Sequence, residues 1–540
     1  MSAVRALTRI GLLALIVSFL IIIPCYGQSV AEQNWTKGVE YAAHGKFKEA
    51  KGEFEKALRV DPFYGPAKRA SKVIEDVTDQ KIKTKTAIHL FNGISCGKKE
   101  HWGESVAQFN KAIEINPRYA EAYVNRGIAY DEKGQYDKAI SDFTKAIEIN
   151  PGYADAYNNR GIAYEEEGQF DKAISDYSTA IEINPRYADA YYNRGIAYSP
   201  KGQFDKAISD FTKAVEINPR LAEAYINRGI AYDEKGQFDK AISDYSKAIE
   251  INPRDADAYN NRGIAYDEKG QHDKAISDYS KAIEINPRDA DAYFNRGLAY
   301  YPKGQFDKAI ADYSTAIEIN PRDADAYKNR GLAYYRKGQF DKAISDCSTA
   351  IEINPRYAEA YINRGIAYGK KGQYDKAISD YSKAIEINPR DAMAYSNRGG
   401  AYYFKGRLHQ AISDYSKAVE LEPRDANTYY NRGLAYNDKG QYDKAISDYS
   451  KAIEINPRYA DAYYNRGLAY NDKGQYDKAI SDFTKAIVIN PMDASAYGNR
   501  GFAMKKSGKL KKACSDWKKA CELGDCRYWG TVNKILCFGK

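Results

Sequence analysis

Twelve asparagines stand 34 residues apart: Asn125, Asn159, Asn193, Asn227, Asn261, Asn295, Asn329, Asn363, Asn397, Asn431, Asn465 and Asn499. An amide supplies both a donor and an acceptor, so such a row can pair with a peptide backbone whatever its side chains are. Asn is a poor choice for a helix interior, which favours a binding role over simple copying with the repeat. An ionic pair is spaced just as regularly. An Arg follows each Asn, and an Asp comes sixteen residues later, as in Arg126 with Asp142 and Arg330 with Asp346. Two divergent stretches carry Lys37 with Glu53 and Asn92 with Gln108, so the charge is kept or lost as a pair. The pattern predicts a contact within each repeat, with the Arg stem packed and its head on the carboxylate.

A third set varies from copy to copy. Acidic residues recur at Glu121, Asp155, Asp189, Glu223, Asp257, Asp291, Asp325 and Glu359, and again at Asp131-Glu132, Glu165-Glu166, Asp233-Glu234 and Asp267-Glu268. From Phe294 to Phe404 the equivalent or adjacent positions hold Phe294, Tyr301, Lys328, Tyr335, Arg336, Lys370, Tyr403 and Phe404. Aromatic and Arg side chains are the usual anchors of an interface. This zone is therefore read as a docking pocket for a peptide, with the acidic copies before it steering a basic segment. Drift among tolerant surface positions is the competing reading.

Catalytic chemistry finds little support. The five histidines, His44, His89, His101, His272 and His409, are scattered, and none pairs with Cys, Asp or Glu at metal-ligand spacing on one helix. No metal and no cofactor are expected. Four of the seven cysteines lie at the C-terminal end: Cys514, Cys521, Cys526 and Cys537. Cys514 and Cys521 are roughly 10 Å apart along a helix, too far to bridge each other. In an oxidising compartment each can reach Cys526 or Cys537, and at least one disulfide is expected. Buried free thiols are the alternative.

These residues are positioned by a repeat. Prolines from Pro117 to Pro491 also recur every 34 residues, without insertion or deletion. With Ala120 as position 1, apolar or small residues fall at Tyr123, Gly127, Tyr130, Ala139, Phe143 and Ala146, a helical spacing of three and four. Gly134 suits the end of a first helix, and Pro151 stops a second. Each unit is an antiparallel pair, helix A then helix B. Gly127 costs roughly 1 kcal/mol against alanine in mid-helix, so its recurrence predicts a close A–B approach, with Ala139 as the facing small residue. One pair cannot bury its own stripe, and stacked neighbours do it. The pattern resembles the tetratricopeptide repeat (TPR) family: small at 8, aromatic at 11 and 24, alanine at 20 and 27, proline at 32. The resemblance implies an all-α, right-handed superhelical solenoid whose inner wall, built mainly from A helices, binds segments of other proteins. Arg126 departs from it, since position 7 is usually Leu or similarly apolar.

In chain order, Arg5 and Arg9 precede an apolar run, Ile10 to Ile23, and Cys25-Tyr26-Gly27 offers a cleavage site before Gln28. Residues 1–27 thus read as a signal peptide, with an uncleaved N-terminal anchor as the alternative and the only expected membrane contact. A divergent repeat (31–64), a connecting helix (65–85) and a second divergent repeat (86–119) follow. Eleven regular repeats (120–493), a last repeat (494–527) and a capping segment (528–540) complete about 14 helix pairs. No block of about 100 residues is left for a catalytic domain, so no enzyme is expected. The net charge of +8, or +6 without Arg5 and Arg9, is weak for so long a chain. With Lys and Asp alternating along each unit, nucleic acid is not an expected partner. The reading is an exported adaptor of the periplasm or cell envelope, holding extended segments of partner proteins along an Asn-lined groove. A structural spacer or self-associating envelope component is the alternative.

Overall fold

The computed structural model describes residues 29–62, 64–530 and 537. The leader assigned to 1–27 lies outside them, as does most of the segment after Gly530. The described residues form 29 helices and no strand. They fall into two compact units, Met1–Pro287 and Arg288–Lys540.

The construction of one pair recurs in both units. Helix A of the repeat at Ala120 runs Ala120–Asp131 and helix B runs Tyr136–Ile149. Gly134 carries the turn at φ 66°, a left-handed conformation cheap only for glycine. Asn150 then leaves the helix in extended backbone, the geometry that a following proline enforces. Gly127 is needed for contact: a Cβ there would lie 2.6 Å from Cε1 of Phe143. The ring at position 24, rather than Ala139, is therefore what the glycine admits. The backbone of the position-20 alanine becomes a near neighbour in the repeat at Ala324, where Cys347 replaces the ring and Ala343 O lies 3.3 Å from such a Cβ on Gly331, and in the last repeat, where Ala513 O lies 3.1 Å from one on Gly501. Alanines at positions 3, 10, 20 and 27 are buried throughout, as Ala122, Ala129, Ala139 and Ala146 show.

Within each unit the B helices of the regular repeats pack on the A helix that follows, so the core is a chain of small clusters. Successive A helices also touch, as Ala120–Asp131 does Ala154–Glu166 and Ala324–Arg336 does Ala358–Lys370. B helices do not pack on one another to that extent among the described residues. The A helices therefore form the inner wall of each unit.

The N-terminal end departs from this pattern. Gly65–Thr78 is an extra helix packed on Phe47–Val60, and Val30–Ala43 packs directly on Thr84–Lys98. Phe54 stacks on Phe91 at 6.0 Å across that junction.

Candidate binding wall

Every regular repeat anchors its A helix to its B helix through the same fork. In the repeat at Ala120, Arg126 Nε donates to Asp142 Oδ2 and Nη2 to Oδ1, both at 2.7 Å. The third nitrogen, Nη1, reaches the previous repeat, here Asn110 Oδ1 at 2.6 Å. Further along within each unit its target is a Ser or Thr hydroxyl, such as Ser314 for Arg330 at 3.0 Å. The Asp is buried, 6% exposed for Asp142 and 7% for Asp346. The guanidinium also sits over the Tyr at position 4, 5.4 Å from the Tyr123 centroid. Position 7 is thus a joint within a repeat and between repeats; the second half rests on position 25, which pattern reading passed over. In the divergent repeats Lys37 meets Glu53 at 3.2 Å, whereas Gln108 pairs with His89 at 2.8 Å.

The asparagines all lie on A helices and are all partly buried. Many of their amide nitrogens are engaged inside the wall. Asn125, Asn227, Asn329, Asn465 and Asn499 donate to the carbonyl four residues back, at 2.8–3.0 Å. Four reach the preceding A helix at position 5: Asn193 to Asn158, Asn227 to Tyr192, Asn465 to Tyr430 and Asn499 to Tyr464. The row is therefore in part a seam between A helices. Asn499 is used up, since its oxygen accepts from Tyr528 at 3.2 Å. Asn227 and Asn465 keep the amide oxygen without a partner among the described residues. Asn159, Asn261, Asn363, Asn397 and Asn431 make no side-chain hydrogen bond among the described residues, so their amides are available to a ligand.

The zone from Phe294 to Phe404 does not close into one pocket. Phe294 tilts over Tyr313 at 5.8 Å. Lys328 is buried at 9% exposure, lying between Asp325 and Glu359 and over the Tyr357 ring. Lys328 is thus removed from the surface by its own neighbours, beside Cys347, where the usual large ring is absent. Tyr301 and Tyr335 rest on Phe306 and Phe340, and Tyr301 Oη accepts from Arg336 Nε at 2.9 Å. Tyr403 donates to Asp438 at 2.7 Å. What remains open is a line of exposed residues, Arg336, Lys370 and Phe404; Phe404 is 68% exposed and stacks on Tyr374.

A cavity of about 220 Å³ opens instead in the N-terminal unit. Trp35, Val73, Ile94, Phe109 and Ile128 form apolar walls, with Arg69, Lys98, Glu121 and Asn125 among the polar groups. Lys98 lies 4.6 Å over the Trp35 ring and bonds Glu32. Burial, reinforced by Asp155 and opposed by Arg69, pushes the Glu121 carboxyl up to about 7. Sequence reading missed this site. The available signal was two of the four tryptophans, Trp35 and Trp102, in divergent repeats on either side of an out-of-phase segment.

At the C-terminal end Cys514 is bonded to Cys537 and Cys521 to Cys526. Tyr528 stacks on Trp517 of the last B helix.

Models of the TPR repeat and the tetratricopeptide repeat match, between them, residues 98–391 and 399–493; one matches 120–153, 154–187 and 188–221 unit by unit. The chain belongs to the tetratricopeptide repeat family. TPR arrays of this kind are protein–protein interaction scaffolds, which is the general class this chain joins. No curated protein matches it. Among solved structures it is similar to YrrB, titled a TPR protein with an unusual peptide-binding site, at 29% identity, with 34% of this chain and 95% of that one covered and a TM-score of 0.31. MamA is similar at 34% identity, covering 31% and 96%, with a TM-score of 0.29. A TPR protein from Parabacteroides merdae ATCC 43184 matches at 22% identity, covering 46% and 98%, with a TM-score of 0.37.

Proposed function

We propose that this TPR chain is a non-enzymatic adaptor of the cell envelope, binding extended segments of partner proteins along the inner wall of its A helices. The observation that carries this reading is the set of amides left unengaged on that wall, above all the consecutive Asn363, Asn397 and Asn431. A donor and an acceptor at one register in three successive repeats suit the regular N–H and C=O spacing of an extended backbone. The exposed Arg336, Lys370 and Phe404 flank that stretch and supply side-chain selectivity. Export fits the two disulfides, which persist in oxidising compartments. A self-associating spacer is favoured by a different observation: Val488 and Met492, 71% and 72% exposed, stand where the other regular repeats carry Glu and mostly Arg.

The two readings separate in a crosslinked co-purification from the native envelope. Under the adaptor reading, Asn363→Ala, Asn397→Ala and Asn431→Ala together remove the co-purifying partner and leave self-association unchanged. Retention of the partner by that variant, with its loss on Val488→Glu and Met492→Arg, would favour the spacer.

A further inference from the structure

We propose that the cavity beside Trp35 and the carboxylate row leading away from it form one site for a partner segment carrying a bulky apolar side chain next to a run of basic residues. This rests on the adaptor reading above and names the partner's chemistry. The cavity accounts for the apolar anchor. A dry cavity of about 150 Å³ can hold benzene, and the roughly 220 Å³ lined by Trp35, Val73, Ile94, Phe109 and Ile128 has room for a leucine or an aromatic ring. Glu121 and Asn125 also line it, so the pocket meets the inner wall at the first regular repeat.

The basic run is indicated by the charge beyond that point. Glu121, Asp155, Asp189, Glu223 and Asp257 occupy one register of five successive A helices; the first two are partly buried and the last three exposed. The molecule itself shows what the row accepts. Helix Gly65–Thr78 brings Arg69 to the beginning of the row, its Nη1 lying 3.7 Å from Asp155 Oδ2. Lys68 and Arg69 also act on Asp189, the next carboxylate of the row. Asp189 and Glu223 continue this interface with the same chemistry and greater exposure. A second line of acidic groups stands on the same A helices. Asp131 and Glu165 are both pushed up to about 7, by burial first and by Glu132 and Glu166 as neighbours. A cation brought to this wall relieves that repulsion, whereas an acidic segment adds to it.

The test is fluorescence anisotropy on the full chain with labelled 12-residue peptides containing one leucine beside four lysines, in both sequence orders. Control peptides replace the leucine by serine or the lysines by glutamates. The leucine–lysine peptide is expected to bind at least ten-fold tighter than either control. Ala70→Phe, which fills the cavity, should cost about ten-fold while circular dichroism stays unchanged. Asp189→Asn with Glu223→Gln, both on exposed positions, should weaken binding several-fold and flatten its salt dependence. Equal binding of the serine peptide, preference for glutamates, or indifference to both variants would overturn the proposal. So would binding seen only after removal of residues 1–27, which assigns the cavity to the chain's own N-terminal segment. A self-association abolished by Ala70→Phe would assign it to a second copy. If the peptides fail while the triple Asn variant still loses its partner, the adaptor reading stands and this assignment falls.

Discussion

Arg330 makes two bonds to a buried carboxylate and one to the previous repeat, whereas Lys371 meets Asp341 at the surface. Both are charge pairs, but only the first leaves a desolvated Asp behind when it is cut. Arg330→Met keeps the packed stem and should cost about 3 kcal/mol, while Lys371→Ala should cost under about 1 kcal/mol; urea unfolding followed by circular dichroism measures both. Glycine at position 8 offers a second contrast. Gly263→Ala drives a methyl to 2.6 Å from Tyr279 Cε1 and should destabilise by about 1–3 kcal/mol. Gly331→Ala meets Cys347 Sγ at 3.1 Å and gains helix propensity of about 1 kcal/mol, so it should be close to neutral. At this scale the Arg–Asp partnership was legible because both residues recur together. The engagement of the asparagines was not, because it depends on which atoms of the preceding A helix, such as Tyr192 and Tyr430 Oη, come within reach. Lys328 was misread for the same reason: its burial follows from Asp325, Glu359 and Tyr357 closing around it.

Two elements depart from the regular stack. The last B helix, Leu510–Glu522, is tied by Cys514 to Cys537 across 23 residues and by Cys521 to Cys526 across 5. The longer loop removes more unfolded-chain freedom, so Cys537→Ser should cost about 3 kcal/mol locally, and Cys526→Ser less. Hydrogen exchange over 494–522 should rise in the first variant and spare the repeats before Tyr459. The second departure is the acidic wall of the N-terminal unit. Burial raises Glu121, Asp131 and Glu165 to about 7, so the folded chain holds protons that the unfolded chain releases. The stability these three groups contribute is therefore full below the ordinary carboxyl range and is lost as pH rises through 7. The melting temperature should fall from pH 5.5 to pH 8, and Glu121→Gln, Asp131→Asn and Glu165→Gln together should flatten that slope. The helix pairs were legible from a 34-residue period. The cavity was not, because helix Gly65–Thr78 breaks the period and its packing against Val30–Ala43 and Thr84–Lys98 has no counterpart elsewhere among the described residues.

For the molecule as a whole, stacking leaves each unit with a wall of A helices that no neighbouring repeat covers. That wall carries unengaged amides, exposed basic and aromatic residues in the C-terminal unit, and an acidic row ending in a cavity in the N-terminal unit. The account holds that partners are gripped there. A photo-crosslinking amino acid placed at Asn397, on an A helix, and separately at exposed Lys383, on a B helix, asks this directly in the native envelope. The account predicts a discrete adduct from position 397 and none from 383, with the 397 adduct lost when Asn363 and Asn431 are both changed to alanine. A discrete adduct from 383 alone, or one from 397 indifferent to those changes, would contradict it.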